Sequence, residues 1–121
     1  MNMDGIDALG RCDVVMQAAA VPVRDIIAAC ADAWGVSVEL IVSPRRSSHI
    51  AVPRHAAMYL TVRMRPDLTL PAIARLFKRS DHTTVIYAFR KVAALRLQSK
   101  DYAKVVDGVE KLLRSSAEGA A

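Results

Sequence analysis

Cysteine is scarce in this sequence: Cys12 and Cys30 are the two present, and they do not form a CxxC pair. Neither they nor the three histidines have partners at the spacings that bind zinc. Two reduced thiols, as in most intracellular proteins, are the expected state. The sequence therefore predicts no metal site.

Long hydrophobic runs are also absent. No stretch approaches the roughly 18 consecutive apolar residues that a membrane-spanning helix needs. The first ten residues, MNMDGIDALG, are acidic and lack the apolar segment of a signal peptide. We therefore expect a cytoplasmic protein that does not bind a membrane.

The sequence has no glycine-rich phosphate loop. Gly5 and Gly10 have the spacing of a P-loop, but Arg11 and Cys12 replace the Lys and the hydroxyl that would meet phosphate and magnesium. Residues 80–82 (SDH) contain the residue types of a catalytic triad, yet consecutive residues at a helix start cannot align as nucleophile, base and orienting group. The sequence predicts no nucleotide, no cofactor and no enzymatic activity.

Acidic residues are rare in the middle of the chain. Residues 1–42 carry two Arg against six Asp or Glu, a net charge of −4, and residues 98–121 are neutral overall. Residues 43–97 carry eleven Lys or Arg against two Asp, a net charge of +9. Such concentrated basic charge is typical of a nucleic-acid-binding surface, although a solvated basic face would have the same composition.

Apolar residues make up 53% of the 121 residues, which is ample for one domain with a core. They recur at helical spacing and no alternating strand pattern appears, so we predict an all-α fold of five to six helices. The expected division is an N-terminal extension at 1–21, for which the residues permit a helix, a helix-turn-helix domain at 22–114 and a frayed tail at 115–121. The helices expected before and after the helix-turn-helix are Val23–Trp34, Val38–Val42, one from Val52 or Pro53 to about Met64, and residues 99–114.

Two helical patterns separated by a polar turn form the centre of the sequence. The first covers Leu70–Phe77, with Pro71 suited to its first turn, and the second starts near Asp81 and reaches about Leu97. Ser80 and Asp81 are both good caps for the second helix. A short helix, a turn and a longer helix with a polar, basic outer face indicate a helix-turn-helix DNA reader. The residues expected in the core are Trp34, Leu60, Leu76, Phe77, Val85 and Phe89.

A basic, polar loop is predicted at residues 43–55 (SPRRSSHIAVPRH). It is either a flexible connection or an arm that enters the minor groove, whose negative potential attracts Arg. Arg54 and His55 would then lie in the first turn of the next helix, where free amides and positive side chains favour a phosphate. An ordinary surface position is the alternative for His55.

These segments together resemble the C-terminal DNA-binding domain of the bacterial chromosomal replication initiator DnaA, over about residues 22–114. The resemblance implies a helical domain that recognises a short duplex, the DnaA box. The motifs that carry it are IAxxF at Ile73–Phe77, DHTTV at Asp81–Val85 followed by Ala88 and by KV at Lys91–Val92, RR at Arg45–Arg46, PR at Pro53–Arg54, AMYL at Ala57–Leu60 and LP at Leu70–Pro71.

By this resemblance, Asp81, His82 and Thr83 would contact base edges in the major groove, and Arg46 would contact bases from the minor groove. The chemistry agrees, because an Asp accepts from a cytosine amine and a Thr methyl contacts a thymine methyl. The residues assigned to the DNA backbone are Arg45, Arg54, His55, Leu70, Pro71, Arg79, Thr84, Tyr87, Arg90 and Lys91.

This chain departs from the family pattern in three respects. The family usually carries Gly-Gly-Arg where Lys78, Arg79 and Ser80 stand, and Gln is common where His55 stands. A full initiator also has an AAA+ ATPase module before this domain. The chain therefore resembles a stand-alone DNA reader that regulates replication initiation or transcription.

Two other interpretations remain open at the level of sequence. The fold could serve as an adaptor for a protein partner, such as a replication-initiation protein, with the acidic first 42 residues as its contact surface. The chain could also be a fragment of a longer initiator, although the start MNMDG favours a separate protein.

Overall fold

The computed structural model describes residues 21–120, with side chains to residue 117, and its regular structure is entirely helical. Six helices and no strand occur in that part of the chain, which confirms the predicted all-α fold. The extension expected at 1–21 lies outside the described residues, apart from Val21. The helices are α1 Val23–Trp34, α2 Val38–Ile41, α3 Ser48–Met64, α4 Leu70–Leu76, α5 Thr83–Gln98 and α6 Lys100–Ala120.

Helix α3 lies at the centre of the domain. It packs against α1 and α5 along much of its length, with α2 and α4 near its two ends, and α6 packs on α1 and α5. Residues 56–61 are all buried, so this helix is covered around its whole circumference and shows no amphipathic stripe. The buried Thr61 hydroxyl donates to the Ala57 carbonyl at 2.7 Å, so it does not remain unsatisfied.

The start of α3 differs from the prediction. The helix begins at Ser48 rather than at Val52 or Pro53, and Pro53 lies inside it. The Ser47 carbonyl accepts from the Ile50 amide at 3.0 Å, and Ile50 is 1% exposed. Burial of Ile50 offsets the backbone hydrogen bond that Pro53 cannot make. The connection to α2 is therefore only residues 42–47, hereafter loop 42–47.

This earlier start moves Arg54 and His55 into the second turn of α3. Their amides are not the free amides of a helix N-terminus, so the expectation that both lie in the first turn is wrong. Any anion held there is held by side chains rather than by backbone amides.

The expected core is largely confirmed. Leu60, Phe77 and Val85 are fully buried, and Trp34 and Phe89 are partly buried against the core. The prediction for Leu76 is wrong, since it is 47% exposed. The short helix α4 turns Ile73, Ala74 and Phe77 inward, and Leu76 falls between these positions on the outer side.

The last helix is longer than expected, since α6 continues to Ala120 rather than ending at 114. The segment contains no proline, and Ala117 still packs against the core. Glu110, near the middle of α6, accepts from Arg63 at 3.1 Å and from Arg114 at 2.7 Å. The division into an extension, a domain and a tail stays a prediction.

Two neighbouring residues at the end of α4 differ in burial, since Phe77 is fully buried and Leu76 is exposed. We expect Phe77→Ala to destabilise the domain by about 3–5 kcal/mol, because it leaves a cavity at a fully buried site. Leu76→Ala is the matched control and should cost about 1 kcal/mol or less. Urea denaturation followed by circular dichroism measures both, and equal losses would contradict the burial described here.

Candidate nucleic-acid interface

The turn of the helix-turn-helix contains a residue in the left-handed backbone conformation. Lys78 has φ 59°, and its amide donates to the Arg75 carbonyl at 2.9 Å. The Arg79 amide donates to the Ala74 carbonyl at 2.8 Å. This pair of hydrogen bonds is a Schellman ending, in which glycine is the favoured residue at the left-handed position. A lysine there keeps the geometry of the turn but strains it.

Helix α5 begins at Thr83 with His82 at its N-cap, and His82 makes no side-chain cap hydrogen bond. Asp81, one residue earlier and predicted as a cap, supplies a side-chain hydrogen bond to the first turn instead. Its Oδ1 accepts from the Thr83 amide at 3.0 Å, and its carbonyl accepts from the Thr84 amide at 3.3 Å. The Thr83 amide holds the pKa of the Asp81 carboxyl below its usual value, because it stabilises the charged form. His82 and Thr83 are exposed at the first turn of α5. The three residues expected to contact bases thus share one accessible helix end.

A concave site of about 300 Å³ lies beside this helix end. It collects side chains from loop 42–47, the second turn of α3, the turn before α5 and the first turn of α5. The lining residues are Pro44, Arg46, Arg54, His55, Arg79 and Thr84, and we call this site the cationic pocket. Five of them were predicted as DNA contacts, and Pro44 was missed because nothing in its sequence context marks it.

Arg54 is not the exposed rim residue that its position in the motif suggested. It is 6% exposed, and its guanidinium donates to three carbonyls, those of Ile41 at 2.6 Å, Leu40 at 3.2 Å and Ser43 at 2.8 Å. Burial, and then the charge of Arg79, lower the pKa of Arg54. Its guanidinium therefore joins α3 to the end of α2 and also forms a wall of the cationic pocket.

Arg79 reaches the same loop from the other side. Its Nη2 donates to the Ser43 carbonyl at 2.8 Å. Burial, and then the charge of Arg46, lower the pKa of Arg79. The Ser43 carbonyl consequently accepts from two guanidinium groups, one from α3 and one from the helix-turn-helix turn. The acceptor is a backbone atom, so no residue pattern in the sequence could have identified it.

His55 lies among cations. Burial lowers the pKa of His55 below its usual value, and the charges of Lys91, Arg54 and Arg79 lower it further. Its ring meets the ring of Tyr87 edge-on, with 5.7 Å between the centroids. The Lys91 Nζ lies 3.4 Å from the Tyr87 hydroxyl. His55, Tyr87 and Lys91 thus extend the cationic pocket along the outer face of α5.

Other predicted contacts lie apart from the pocket. Arg45 is exposed in loop 42–47, where its amide donates to the Ser43 hydroxyl at 3.3 Å. Pro71 is exposed at the start of α4, and Leu70 and Arg90 line a separate cavity of about 170 Å³ between α3, α4 and α5. The predicted residues therefore form one compact cluster and a second edge, rather than a single pocket.

The fold separates neutralised cations from cations without a carboxylate. Of the eleven Lys and Arg in residues 43–97, Arg63, Arg65 and Arg96 lie within 4.0 Å of Glu110, Asp67 and Asp107. Within the described residues, the remaining eight have no carboxylate at that distance. They are Arg45, Arg46, Arg54, Arg75, Lys78, Arg79, Arg90 and Lys91. No carboxylate of the described residues therefore neutralises their charge.

Other kinds of site are not found in this part of the chain. Residues 21–117 bring together no group of three potential metal ligands, and no described helix is long and apolar enough to cross a membrane. The Gly5–Gly10 pair, like Cys12, falls outside the residues that the structure describes. Cys30 is a buried free thiol, and burial raises its pKa to about 12.

Comparison with known proteins gives the family. Residues 23–92, more than half of the chain, match the family described as the bacterial DnaA protein helix-turn-helix. The chain belongs to this family. The matched DnaA segment contains loop 42–47, the cationic pocket and the whole of α4 and most of α5.

Individual DnaA proteins agree with this assignment. The chromosomal replication initiator protein DnaA of Caulobacter vibrioides is 32% identical over 114 residues, which are 94% of this chain and 23% of that protein. DnaA of Ralstonia nicotianae is 42% identical over 81 residues, which are 67% of this chain and 15% of that protein. The chain therefore spans less than a quarter of the length of these relatives.

A solved structure also matches the fold. It is described as the crystal structure of a DNA replication initiation factor, and the two superpose with a TM-score of 0.69 at 31% sequence identity. The match covers 87% of this chain and 32% of the other. The similarity to a replication initiation factor thus extends from sequence to the arrangement of the helices.

The strain at Lys78 can be measured. We expect Lys78→Gly to stabilise the domain by about 0.5–1 kcal/mol, because relief of the left-handed backbone outweighs the greater entropy of an unfolded glycine. Lys78→Ala removes the same charge and keeps a Cβ, so it should bring no such gain. Chemical denaturation of the three proteins checks this, and an equal gain from Ala would show that charge, not backbone strain, is the cause.

The cations around His55 set the sign of its pH dependence. The folded-state pKa is lowered, so the unfolded chain binds this proton more readily. The stability contributed by neutral His55 is present above the usual pKa of about 6.5 and is lost as the pH falls below it. We expect Lys91→Gln to raise the pKa of His55 and His55→Gln to weaken this acid sensitivity. NMR titration of the His55 ring protons measures the first effect, and a pKa that does not rise in Lys91→Gln would contradict the proximity of the two groups.

Proposed function

We propose that this chain binds double-stranded DNA sequence-specifically at sites like the DnaA box. The observation that supports this most strongly is the position of the base-reading candidates Asp81, His82 and Thr83. They are exposed at the start of α5, directly beside cations that have no carboxylate partner in the described residues. DnaA C-terminal domains bind double-stranded DnaA-box DNA, and this chain belongs to that family.

The start of α5 has the chemistry for direct readout in the major groove. Asp81 commits Oδ1 to the Thr83 amide, which leaves Oδ2 able to accept from a cytosine amine. The Thr83 methyl can contact a thymine methyl, and His82 lies beside it on the same turn. Because the hydrogen bond to the Thr83 amide fixes the Asp81 side chain before DNA arrives, little conformational entropy is lost on binding.

The cationic pocket is suited to the phosphate backbone. Arg46, Arg54 and Arg79 supply guanidinium groups, and Thr84 supplies a hydroxyl next to them. Burial, and then repulsion among these cations, lower the pKa values of Arg54, His55 and Arg79, and the repulsion is relieved when a phosphate enters. Arg45 and Arg46 extend from loop 42–47 toward what would be the neighbouring minor groove, where negative potential favours Arg.

We further propose that the chain acts as a stand-alone regulator of replication initiation or transcription. The matched segment is the DNA-binding part of DnaA and does not include its ATPase region. By occupying DnaA-box sites, the chain would compete with the initiator, or alter transcription from nearby promoters, without ATP hydrolysis. Binding to chromosomal DNA would place it at the nucleoid in the cytoplasm.

An adaptor for a protein partner, such as a replication-initiation protein, is the second candidate. Its support is the exposed carboxylates of Asp25, Asp32 and Glu39 on α1 and α2, which pair with no cation in the described residues.

Salt dependence separates the two functions. If about five phosphates are neutralised, log K for DNA should fall with log salt at a slope of about −4 to −5. If binding to a replication protein persists in variants that no longer bind DNA, the adaptor function is favoured.

Base contacts and phosphate contacts should respond differently to mutation. We expect Thr83→Ala to weaken binding to a DnaA-box duplex by about 1–3 kcal/mol and to leave a scrambled duplex almost unaffected. Lys91→Ala should weaken binding to both duplexes about equally, and its salt slope should be shallower by about one unit. Fluorescence anisotropy at several salt concentrations measures both variants.

Arg54 is unsuitable as the phosphate variant in this experiment, because its substitution would also remove a hydrogen-bond donor from the carbonyls of Ile41, Leu40 and Ser43. Lys91, which is exposed on α5, avoids that complication. If Thr83→Ala weakens both duplexes by the same factor, the start of α5 is not the base-reading element. If the wild-type protein does not prefer the box over the scrambled duplex, the proposed function is wrong.

A further inference from the structure

The Ser43 carbonyl oxygen joins loop 42–47 to the helix-turn-helix through a hydrogen bond. Arg54 Nη2 and Arg79 Nη2 both donate to it at 2.8 Å. We infer that Arg79 is a positioning residue, which holds loop 42–47 so that Arg46 enters the minor groove in register with α5 in the major groove. This inference rests on the proposed function and names the device that couples its two DNA-reading elements.

The two arginines have different roles at this carbonyl. Arg54 is buried and also donates to the Ile41 and Leu40 carbonyls, so it belongs to the framework that joins α2 to α3. Arg79 is only partly buried and comes from the turn, two residues before Asp81. Its hydrogen bond therefore connects the loop directly to the segment that leads into α5. If this bond is removed, loop 42–47 stays anchored at its α2 end but loses its tie to the reading helix.

The exposed part of the loop lies just beyond this contact. The Ser43 hydroxyl donates to the Leu40 carbonyl at 2.7 Å and accepts from the Arg45 amide at 3.3 Å, so Ser43 is fixed by both its carbonyl and its side chain. Pro44, which follows, has a restricted φ. Arg46 is exposed and has no side-chain hydrogen bond among those of the described residues. Its approach to DNA is consequently set by how firmly Ser43 is held.

The geometry also explains why two like charges stay close together. Arg46 and Arg79 both line the cationic pocket, although their charges repel. The bond to Ser43 uses one of the five N–H donors of Arg79 and fixes the guanidinium plane. A lysine would keep the charge on a side chain one atom shorter than the path to Arg Nη2, so the hydrogen bond to Ser43 and the charge can be tested separately.

The DNA test uses a DnaA-box duplex and a set of variants in which blocks of A·T pairs are replaced by G·C pairs. The block that Arg46 reads is the one whose replacement weakens DNA binding by the wild-type protein but not by the Arg46→Ala variant. At that block, Arg79→Ala should reduce the preference for A·T about three- to tenfold, which is the cost of ordering one or two long side chains. The discrimination that depends on Thr83 should persist. The double variant Arg46→Ala/Arg79→Ala should show the same A·T preference as Arg46→Ala alone.

Two matched variants separate positioning from charge. Arg79→Lys should keep the wild-type salt slope and still lose A·T preference, because it keeps the charge on a side chain that is one atom shorter and does not reach the Ser43 carbonyl. Arg75→Ala removes one positive charge from the exposed face of α4 and should leave A·T preference unchanged. If Arg79→Ala instead weakens every duplex equally and its salt slope becomes shallower, Arg79 is only a phosphate contact and the inference is overturned. Unaltered A·T preference in Arg79→Ala overturns it as well.

A measurement without DNA distinguishes failure of this inference from failure of the proposed function. Backbone ¹⁵N relaxation of residues 45–47 should show lower order parameters in Arg79→Ala than in the wild type or in Arg75→Ala, with the rest of the domain unchanged. Equal order in all three proteins overturns the inference even if the wild type prefers the DnaA box. If the loop loosens as expected but the wild type has no box preference, the proposed function fails and the reading role of Arg79 fails with it.

Discussion

The buried guanidinium of Arg54 is the contact on which the DNA-facing part of this domain depends. A helix as short as α2 ends with carbonyls that have no helical partner, and Arg54 donates to those of Leu40 and Ile41 as well as to Ser43. A buried charge is costly unless its hydrogen bonds are made, so the guanidinium and the chain end stabilise each other. Because Arg54 projects from the central helix, the path of loop 42–47 is fixed by the core, and Arg79 can reach the same loop from the opposite side.

Neutralised and unpaired charges lie in different parts of the fold. Arg63 of α3 and Arg96 of α5 meet carboxylates on α6 and hold the last helix against α3 and α5, and Arg114 pairs with Glu110 within α6. Cations around the pocket, among them Arg46, Arg54 and Arg79, instead lie close to one another. The free domain accepts this repulsion at its proposed DNA-binding surface, where a phosphate would convert it into attraction. Charge number alone could not reveal this, since the sequence shows a net +9 over residues 43–97 without showing which cations are paired.

Sequence signals that span only a few residues predicted the helix positions and helix ends, which neighbouring residues determine. Gly35 ends α1 with φ 69°, Asp81 accepts from the first turn of α5, and the helical periodicity located all six helices. The failures have tertiary causes. Leu76 fits a three-to-four-residue spacing, but it lies on the outer side of α4, and Arg54 resembles a surface arginine until its distant carbonyl partners are known. Because Ile50 is buried, α3 begins at Ser48, before Pro53, at which the sequence had predicted its start. The candidate site was accordingly predictable as a set of residues but not as a geometry.

The turn before α5 has two energetically unfavourable features, which are the backbone strain at Lys78 and the repulsion between Arg79 and Arg46. Lys78 is strained in a conformation that suits glycine. The repulsion between Arg79 and Arg46 is present in the free protein and would be relieved by a phosphate. This repulsion is the feature through which a bound phosphate would gain affinity. The strain at Lys78 instead affects the stability of the turn from which Arg79 extends, and a less rigid turn would weaken the coupling between loop 42–47 and the reading helix.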